Sequence, residues 1–239
     1  MPNSHSPRQN RLLAAMPISV YARMLPELQI APLALGSAVY EADSPLEYVY
    51  FPITGIVSML HVMHDGAAAE IALVGNDGLV GASAFMGGSH ILSRGVVQNA
   101  GHAYALKANC LKDEFRRGGL CQQVLLHYTQ ALITQMTQTA VCNRLHSVHQ
   151  QFSRWLLLSL DRLPSNDLVM TEMLIANMLG LDLEGAKKVL DELQRAGLIE
   201  HTRGHVVVAD RKSLEAHCCE CYAVVKKEFD RLLPDKTAH

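Results

Sequence analysis

The chain has 239 residues, a formal net charge of −2, 49% hydrophobic residues and 18% charged ones. That apolar content suits buried cores and excludes a disordered class. The near-neutral balance excludes a surface coated in basic charge, although a local basic patch stays possible because the field that matters to a ligand is local. No run reaches the ~18–20 apolar residues of a membrane span, and the N-terminal stretch lacks a signal peptide's apolar region, so a cytoplasmic protein without a membrane partner is expected.

Residues 1–31 read as peripheral helix. Leu12, Leu13 and Met16 form one apolar stripe, and Tyr21, Met24, Leu25 and Leu28 a second, with Pro17 and Pro26 as punctuation. From 31 to about 106 the pattern becomes short β-branched and aromatic runs at 48–51, 56–62, 70–74, 96–99 and 103–106. Turn signals separate them, among them Asp43-Ser44-Pro45, Asp65-Gly66, Asn76-Asp77-Gly78 and Gly87-Gly88. Turn spacings of ~8–12 residues predict an antiparallel sandwich or barrel rather than a βαβ sheet.

No Gly or Pro occurs from Leu120 to Leu163. The periodic apolar set there predicts a long helix, with Ser147 or Ser159 as sites of interruption. Such length points to an interdomain or pairing helix. Val124, Tyr128, Ala131, Leu132, Val141 and Leu145 are its candidate pairing residues. The stretch around Thr134 and Thr137 is rich in Thr and Gln and nearly uncharged, which suits contact with a partner helix or a bound ligand.

Pro164 to Asp167 reads as a loop and domain boundary. Thr171 then offers an N-cap, with Leu174, Ile175, Met178 and Leu179 on one face and Gly180 at a turn. Asp182 caps a second helix with a core stripe of Ala186, Val189, Leu190 and Leu193. Leu183, Glu184, Lys187 and Lys188 point outward, and Gly197 ends the helix. Two such helices make a helix-turn-helix, which sets one helix into a DNA major groove. Glu can accept from cytosine N4, and Lys can donate to guanine or phosphate. Two short runs around His201-Thr202-Arg203-Gly204-His205 predict a hairpin wing. Residues 213–233 predict one last helix.

In this order the parts resemble the Crp–Fnr family of bacterial transcription regulators. The marks are YVYFPITGIVSML at 48–60, VGNDGLVGASAFMGG at 74–88 and TEMLIANMLG at 171–180. The resemblance implies an α+β chain: an N-terminal antiparallel β-roll of the double-stranded β-helix type, a long dimerisation helix and a C-terminal winged helix-turn-helix. It places a sensor domain at 1–117, the connecting helix at 118–163 and the DNA-binding domain at 164–239. The implied partners are DNA, a second copy of the chain, RNA polymerase and a small-molecule effector of unknown identity. The DNA-contact candidates are Thr171, Leu183, Glu184, Gly185, Lys187, Lys188 and Arg203. The effector-pocket candidates are Gly81, Ala82, Ser83, Arg94, Thr134 and Thr137.

Two departures from the family pattern matter. Ala82 stands where members that bind cyclic AMP carry a Glu for the ribose, and Arg94 lies about one position from the expected phosphate-binding Arg. Cyclic AMP binding in the familiar mode is therefore not expected. In the second helix, Leu183 replaces the first Arg of the usual base-reading set, while Glu184 is kept and Lys188 replaces the second Arg. A bidentate guanine fork is lost with that first Arg. From 161 to 239 the chain holds 11 Lys and Arg against 14 Asp and Glu. An alternative reading follows, a sensor or interaction protein that has lost specific DNA binding.

The six Cys, at 110, 121, 142, 218, 219 and 221, are expected as free thiols. No N-terminal Cys cluster is present, so no iron–sulfur centre is expected. His217 to Cys221 on one helix offers too few converging ligands for structural zinc, and scattered His, including His61, His64, His90, His102 and His127, give no spacing for haem. No paired-carboxylate, nucleophile–base or phosphate-loop arrangement stands out, so an enzyme is not expected. A cupin-type barrel lacks its His/Glu metal pattern on consecutive strands.

Overall fold

The computed structural model describes residues 5–88, 92–163 and 165–233. His90 and Pro164 lie outside the described residues. The chain divides into two compact units, one of Met1–Met136 with Lys227–His239, the other of Thr137–Lys226.

The first unit opens with a 3-10 turn (Pro7–Gln9), α1 (Arg11–Ala15), α2 (Ile18–Met24) and a second 3-10 turn (Leu25–Glu27). Pro17 sits between α1 and α2, where its lost N–H costs no helix bond. Among the described residues seven strands follow: β1 (Gln29–Leu33), β2 (Ala38–Tyr40), β3 (Tyr48–Pro52), β4 (Ile56–Val62), β5 (Ala68–Val74), β6 (Arg94–Asn99) and β7 (Gly101–Lys107). They form two antiparallel sheets, β1-β7-β3 and β2-β6-β4-β5. Val57, Val74, Val80, Val97 and Ala103 pack with Leu33 and Tyr40 as the core of this roll.

The five runs read from the sequence are strands. The two remaining strands carry weak signals. Pro32 interrupts β1, which a Pro permits because β1 is an edge strand paired only with β7. β2 has three residues and a shift of register.

Asn10 ties the N-terminus to this roll. Fully buried, it donates from Nδ2 to the carbonyls of Pro52 (2.9 Å) and Gly78 (2.8 Å), and its Oδ1 accepts from the Leu13 N–H at the start of α1 (3.1 Å). Next to it, Arg11 reaches Asp230 at 3.3 Å and donates to the Leu233 carbonyl at 2.9 Å, joining the start of α1 to residues 230–233.

α3 (Ala108–Arg116) follows β7 and holds Glu114. Arg23 meets this carboxylate through Nε (2.9 Å) and Nη2 (2.6 Å), and Arg117 approaches at 3.5 Å. The Arg23 hydrogen bonds hold the Glu114 carboxyl below its ordinary range, against the opposing effect of burial. A lowered folded pKa adds stability that is present above the unfolded pKa and is lost as pH falls through the folded one. Glu114→Gln should therefore lower Tm at pH 7, with the gap from wild type narrowing as pH drops below about 4. A gap that stays constant with pH would refute the ion pair as its source.

The helical stretch expected at 120–163 is α4 (Gly119–Leu145) and α5 (Val148–Leu160), divided at one of its two expected interruption sites. The break falls at Ser147, which caps α5 in a reciprocal capping box with Gln150. α4 runs from the first unit into the second. In the first unit Tyr128 donates to the Leu79 carbonyl (2.7 Å), and Gln135 donates to the Leu73 carbonyl (2.9 Å). A Cβ at Gly78 would lie 2.4 Å from the Tyr128 ring, which explains the glycine.

The second unit adds β8 (Asp167–Val169), α6 (Glu172–Leu179), α7 (Leu183–Arg195), β9 (Ile199–Thr202), β10 (His205–Val208), α8 (Arg211–His217) and α9 (Glu220–Leu232). The wing is a three-stranded sheet, β8-β10-β9, rather than a hairpin alone. β8 begins where the sequence predicts loop, and it is too short to show a period. The single helix expected at 213–233 is also two, parted at Cys218 and Cys219 with no Gly or Pro to announce it.

Candidate nucleic-acid interface

Residues 171–195 form a helix-turn-helix. Thr171 Oγ1 accepts from the Leu174 N–H (3.2 Å) to start α6, and Gly180 turns the chain with a left-handed backbone (φ 65°). Asp182 caps α7, its Oδ1 accepting from the Gly185 N–H at 2.7 Å. A Cβ at Gly185 would sit 3.0 Å from that same oxygen, so the glycine makes room for the cap. Ala186, Val189, Leu190 and Leu193 are buried, and Leu183, Glu184, Lys187 and Lys188 are exposed. The two faces of α7 thus divide as its amphipathic pattern requires. Arg203 is exposed at the wing turn beside Gly204 (φ 82°). Thr171 and Gly185 have structural duties here, as an N-cap and as space for one.

The pairing residues expected on α4 divide differently. Tyr128, Ala131 and Leu132 are buried within their own chain, and Val124 is half-buried. Their period marks a face buried within the chain, and at one point of it Tyr128 meets the roll at Leu79. Periodicity cannot tell an internal seam from an external one. The opposite face carries Leu126, Ile133 and Val141 exposed, with Gln130, Thr137 and Ala140 between them. Leu145 is 72% exposed at the helix end.

The effector-pocket candidates are dispersed in role. Gly81 has a left-handed backbone (φ 98°) and leads a 3-10 turn, Ala82–Ala84, with Ala82 buried. A Cβ at Gly81 would press Leu46 and Val49 at 3.2 Å. Arg94 pairs with Glu41 at 2.9 Å. Thr134 donates to the Gln130 carbonyl of its own helix at 3.1 Å, while Thr137 is exposed. Between these two threonines Gln135 reaches the roll at the Leu73 carbonyl, and residue-type reasoning passes it over.

A second constellation, of which the sequence reading held only the Cys219 and Cys221 half, gathers in the second unit. Cys142 on α4, His146 just beyond it, and Cys219 and Cys221 around the start of α9 hold their ligand atoms within 4.8 Å of one another. The three Cys are buried. The Sγ atoms of Cys142 and Cys219 lie 3.6 Å apart, and Cys221 Sγ lies 3.5 Å from His146 Nδ1. The other ring nitrogen of His146, Nε2, is 3.5 Å from the Glu220 carboxylate. Hydrogen bonds from Cys142 and then Cys218 pull the Cys219 thiol far below its ordinary range. Cys142 is raised by its hydrogen bond to Cys219, and Cys221 by burial. Arg154 is 5% exposed beside this group, and its charge favours the thiolates of Cys142, Cys218 and Cys221. Its Nη1 donates to Thr139 at 3.2 Å, and its Nε is buried with no hydrogen-bond partner among the described residues. The one-helix count of zinc ligands therefore needs correcting, because α4 and the turn after it supply two more. The sequence signal was Cys142-x3-His146, an i, i+4 pair, together with Cys219-x-Cys221.

Residues 32–117 match the cyclic nucleotide-binding domain family, and residues 150–217 match the Crp-like helix-turn-helix domain family. No curated protein sequence is significantly similar to the chain. Among solved structures the fold is similar to FixK2 from Bradyrhizobium japonicum, with TM-score 0.67 and 18% identity over 80% of this chain and 98% of that one. It is similar to a CRP-family transcriptional regulator from Thermus thermophilus, with TM-score 0.64 and 17% identity over 78% and 95%. The c-di-GMP-responsive global regulator CLP of Xanthomonas campestris gives TM-score 0.60 and 17% identity over 81% and 100%.

Proposed function

Because this chain belongs to the Crp/Fnr family of DNA-binding transcription regulators, we propose that it works as a homodimer whose two α7 helices enter successive major grooves. The observation that carries this reading is the outward face of α7: Leu183, Glu184, Lys187 and Lys188 stand exposed on a capped helix whose other side is core. Glu184 would accept from a cytosine, Lys187 and Lys188 would meet phosphates or guanine, and Arg203 would reach the flanking backbone. Leu183 offers apolar contact only, so the half-site differs from one read by an Arg fork.

In this reading residues 1–117 are the sensor, 118–163 the connecting helix and 164–239 the DNA-binding domain. The effector would bias the dimer by binding one arrangement better than another. Ala82, the Arg94–Glu41 pair and the apolar interior of the roll speak against cyclic AMP in the familiar mode. The work would be done in the cytoplasm with RNA polymerase as a partner. Among the described residues no helix is long and apolar enough to cross a membrane. No catalytic role is part of the proposal.

Pairing would use the exposed α4 stripe of Leu126, Ile133 and Val141. Ile133→Glu sets like charges opposite each other at the twofold axis. It should convert the dimer to monomer in sedimentation and weaken DNA binding, with the circular dichroism spectrum unchanged. A variant that stays dimeric would move the interface elsewhere.

Selection of genomic fragments across a salt series tests the function itself. Selective binding that weakens steeply with salt is expected. Absence of selective binding, with and without cell extract as an effector source, would instead favour a sensor that no longer reads DNA. The lost Arg and the acidic balance of 161–239 motivate that second reading.

A further inference from the structure

We propose that Cys142, His146, Cys219 and Cys221 bind one divalent ion of the zinc type in a tetrahedral Cys3His site. Zinc takes thiolate and imidazole ligands at about 2.3 and 2.0 Å, which sets neighbouring ligand atoms about 3.5–3.8 Å apart. The Cys142–Cys219 and Cys221–His146 separations, 3.6 and 3.5 Å, already have that length. The widest pair in the group, within 4.8 Å, needs to close by about 1 Å.

Two further features favour an ion over buried thiols alone. A metal-bound histidine commonly donates its other ring nitrogen to a carboxylate, which fixes its tautomer and orientation. His146 has this arrangement: Nδ1 faces Cys221 and Nε2 faces Glu220. The second feature is charge. Three thiolates and one divalent ion leave a net charge of −1. Arg154, buried and without a full set of acceptors, supplies the balancing +1. With four neutral groups in its place, the guanidinium would be a buried cation lacking a counter-charge, an expensive arrangement. Cys219 also precedes α9, so the positive end of that helix favours its thiolate.

The ligand atoms lie too close together to surround a cluster of several irons, so a single ion fits. Zinc binding would need three thiolates and a neutral imidazole and would release the thiol protons as the four bonds form. The ion would fasten the end of α4 to the α8–α9 elbow within the second unit. The site stands apart from the DNA-binding reading, and either can fail without the other.

The test uses the full chain, purified under reducing conditions without chelator. Elemental analysis should find about one zinc per chain. Cobalt added to the stripped protein should give the intense visible bands of a tetrahedral site, with thiolate-to-cobalt charge transfer, saturating at one equivalent. Cys142→Ser and Cys219→Ser should each weaken cobalt binding by at least tenfold, whereas Cys110→Ser should not change it. His146→Cys, which keeps four ligands, should still bind and shift the charge-transfer band. The proposal is overturned if wild-type protein, folded by circular dichroism, shows no saturable cobalt spectrum. It is equally overturned if iron with acid-labile sulfide replaces zinc, or if Cys142→Ser and Cys219→Ser bind as wild type does.

Discussion

Asn10→Ala should lower the stability of the first unit by about 3–5 kcal/mol, one of the largest effects expected of any single polar substitution in this chain. The side chain is fully buried and makes three hydrogen bonds. Alanine removes all three and leaves the Pro52 and Gly78 carbonyls and the Leu13 N–H without that partner. A buried polar group without a partner costs about 1–3 kcal/mol, so the three together outweigh the small gain in helix propensity. In thermal unfolding Tm should fall by roughly 10 °C. Asn10→Asp sharpens the test. It keeps the oxygen that caps α1 but replaces the donor with a carboxylate facing two carbonyls, and should be no more stable than the alanine variant. A Tm for Asn10→Ala within about 2–3 °C of wild type, a range set by about 1 kcal/mol, would show that water replaces the lost bonds.

Replacing Lys187 and Lys188 together with alanine should reduce DNA affinity about 10- to 100-fold at moderate salt and flatten its salt dependence. Both are exposed on α7, where their substitution leaves the core stripe untouched. Each phosphate left without its lysine lowers the slope of log affinity against log salt by about 0.9, so two lysines in each protomer of the proposed dimer give a change of up to about 3–4. Glu184→Ala should do the opposite: similar salt slope, relaxed choice of base at one position. If the double lysine variant keeps both affinity and slope, α7 is not the element that meets phosphate.

The helix-turn-helix was legible because its signals are local. Thr171, Gly180, Asp182 and the apolar stripe of α7 lie within one short stretch of chain, and each has one geometric meaning. The strands of the roll were legible where alternation and Asp-Gly or Gly-Gly turns framed them. β1, with Pro32 inside it, and β8, three residues long, carry no such frame. The expected pairing residues of α4 divide between a buried and an exposed face for a different reason. An apolar period says that one side of a helix is buried but not by what, and Tyr128, Ala131 and Leu132 are buried within their own chain. The thiol site was legible only in its Cys219 and Cys221 half, because Cys142 and His146 lie more than 70 residues away from it. The order of parts, from roll through long helix to wing, carried the family reading, since no single motif could.

The join between Arg11 and Leu233 sets a timetable for synthesis. Arg11 leaves the ribosome before its acceptors, the Asp230 carboxylate and the Leu233 carbonyl, which are made 219 and 222 residues later. At about 5–20 residues per second that wait is on the order of 10–40 s. Throughout it the roll can close around Asn10, while the N-terminal segment lacks its last tether. The second unit, Thr137–Lys226, has by then emerged whole. The unit that begins first is thus the one completed last.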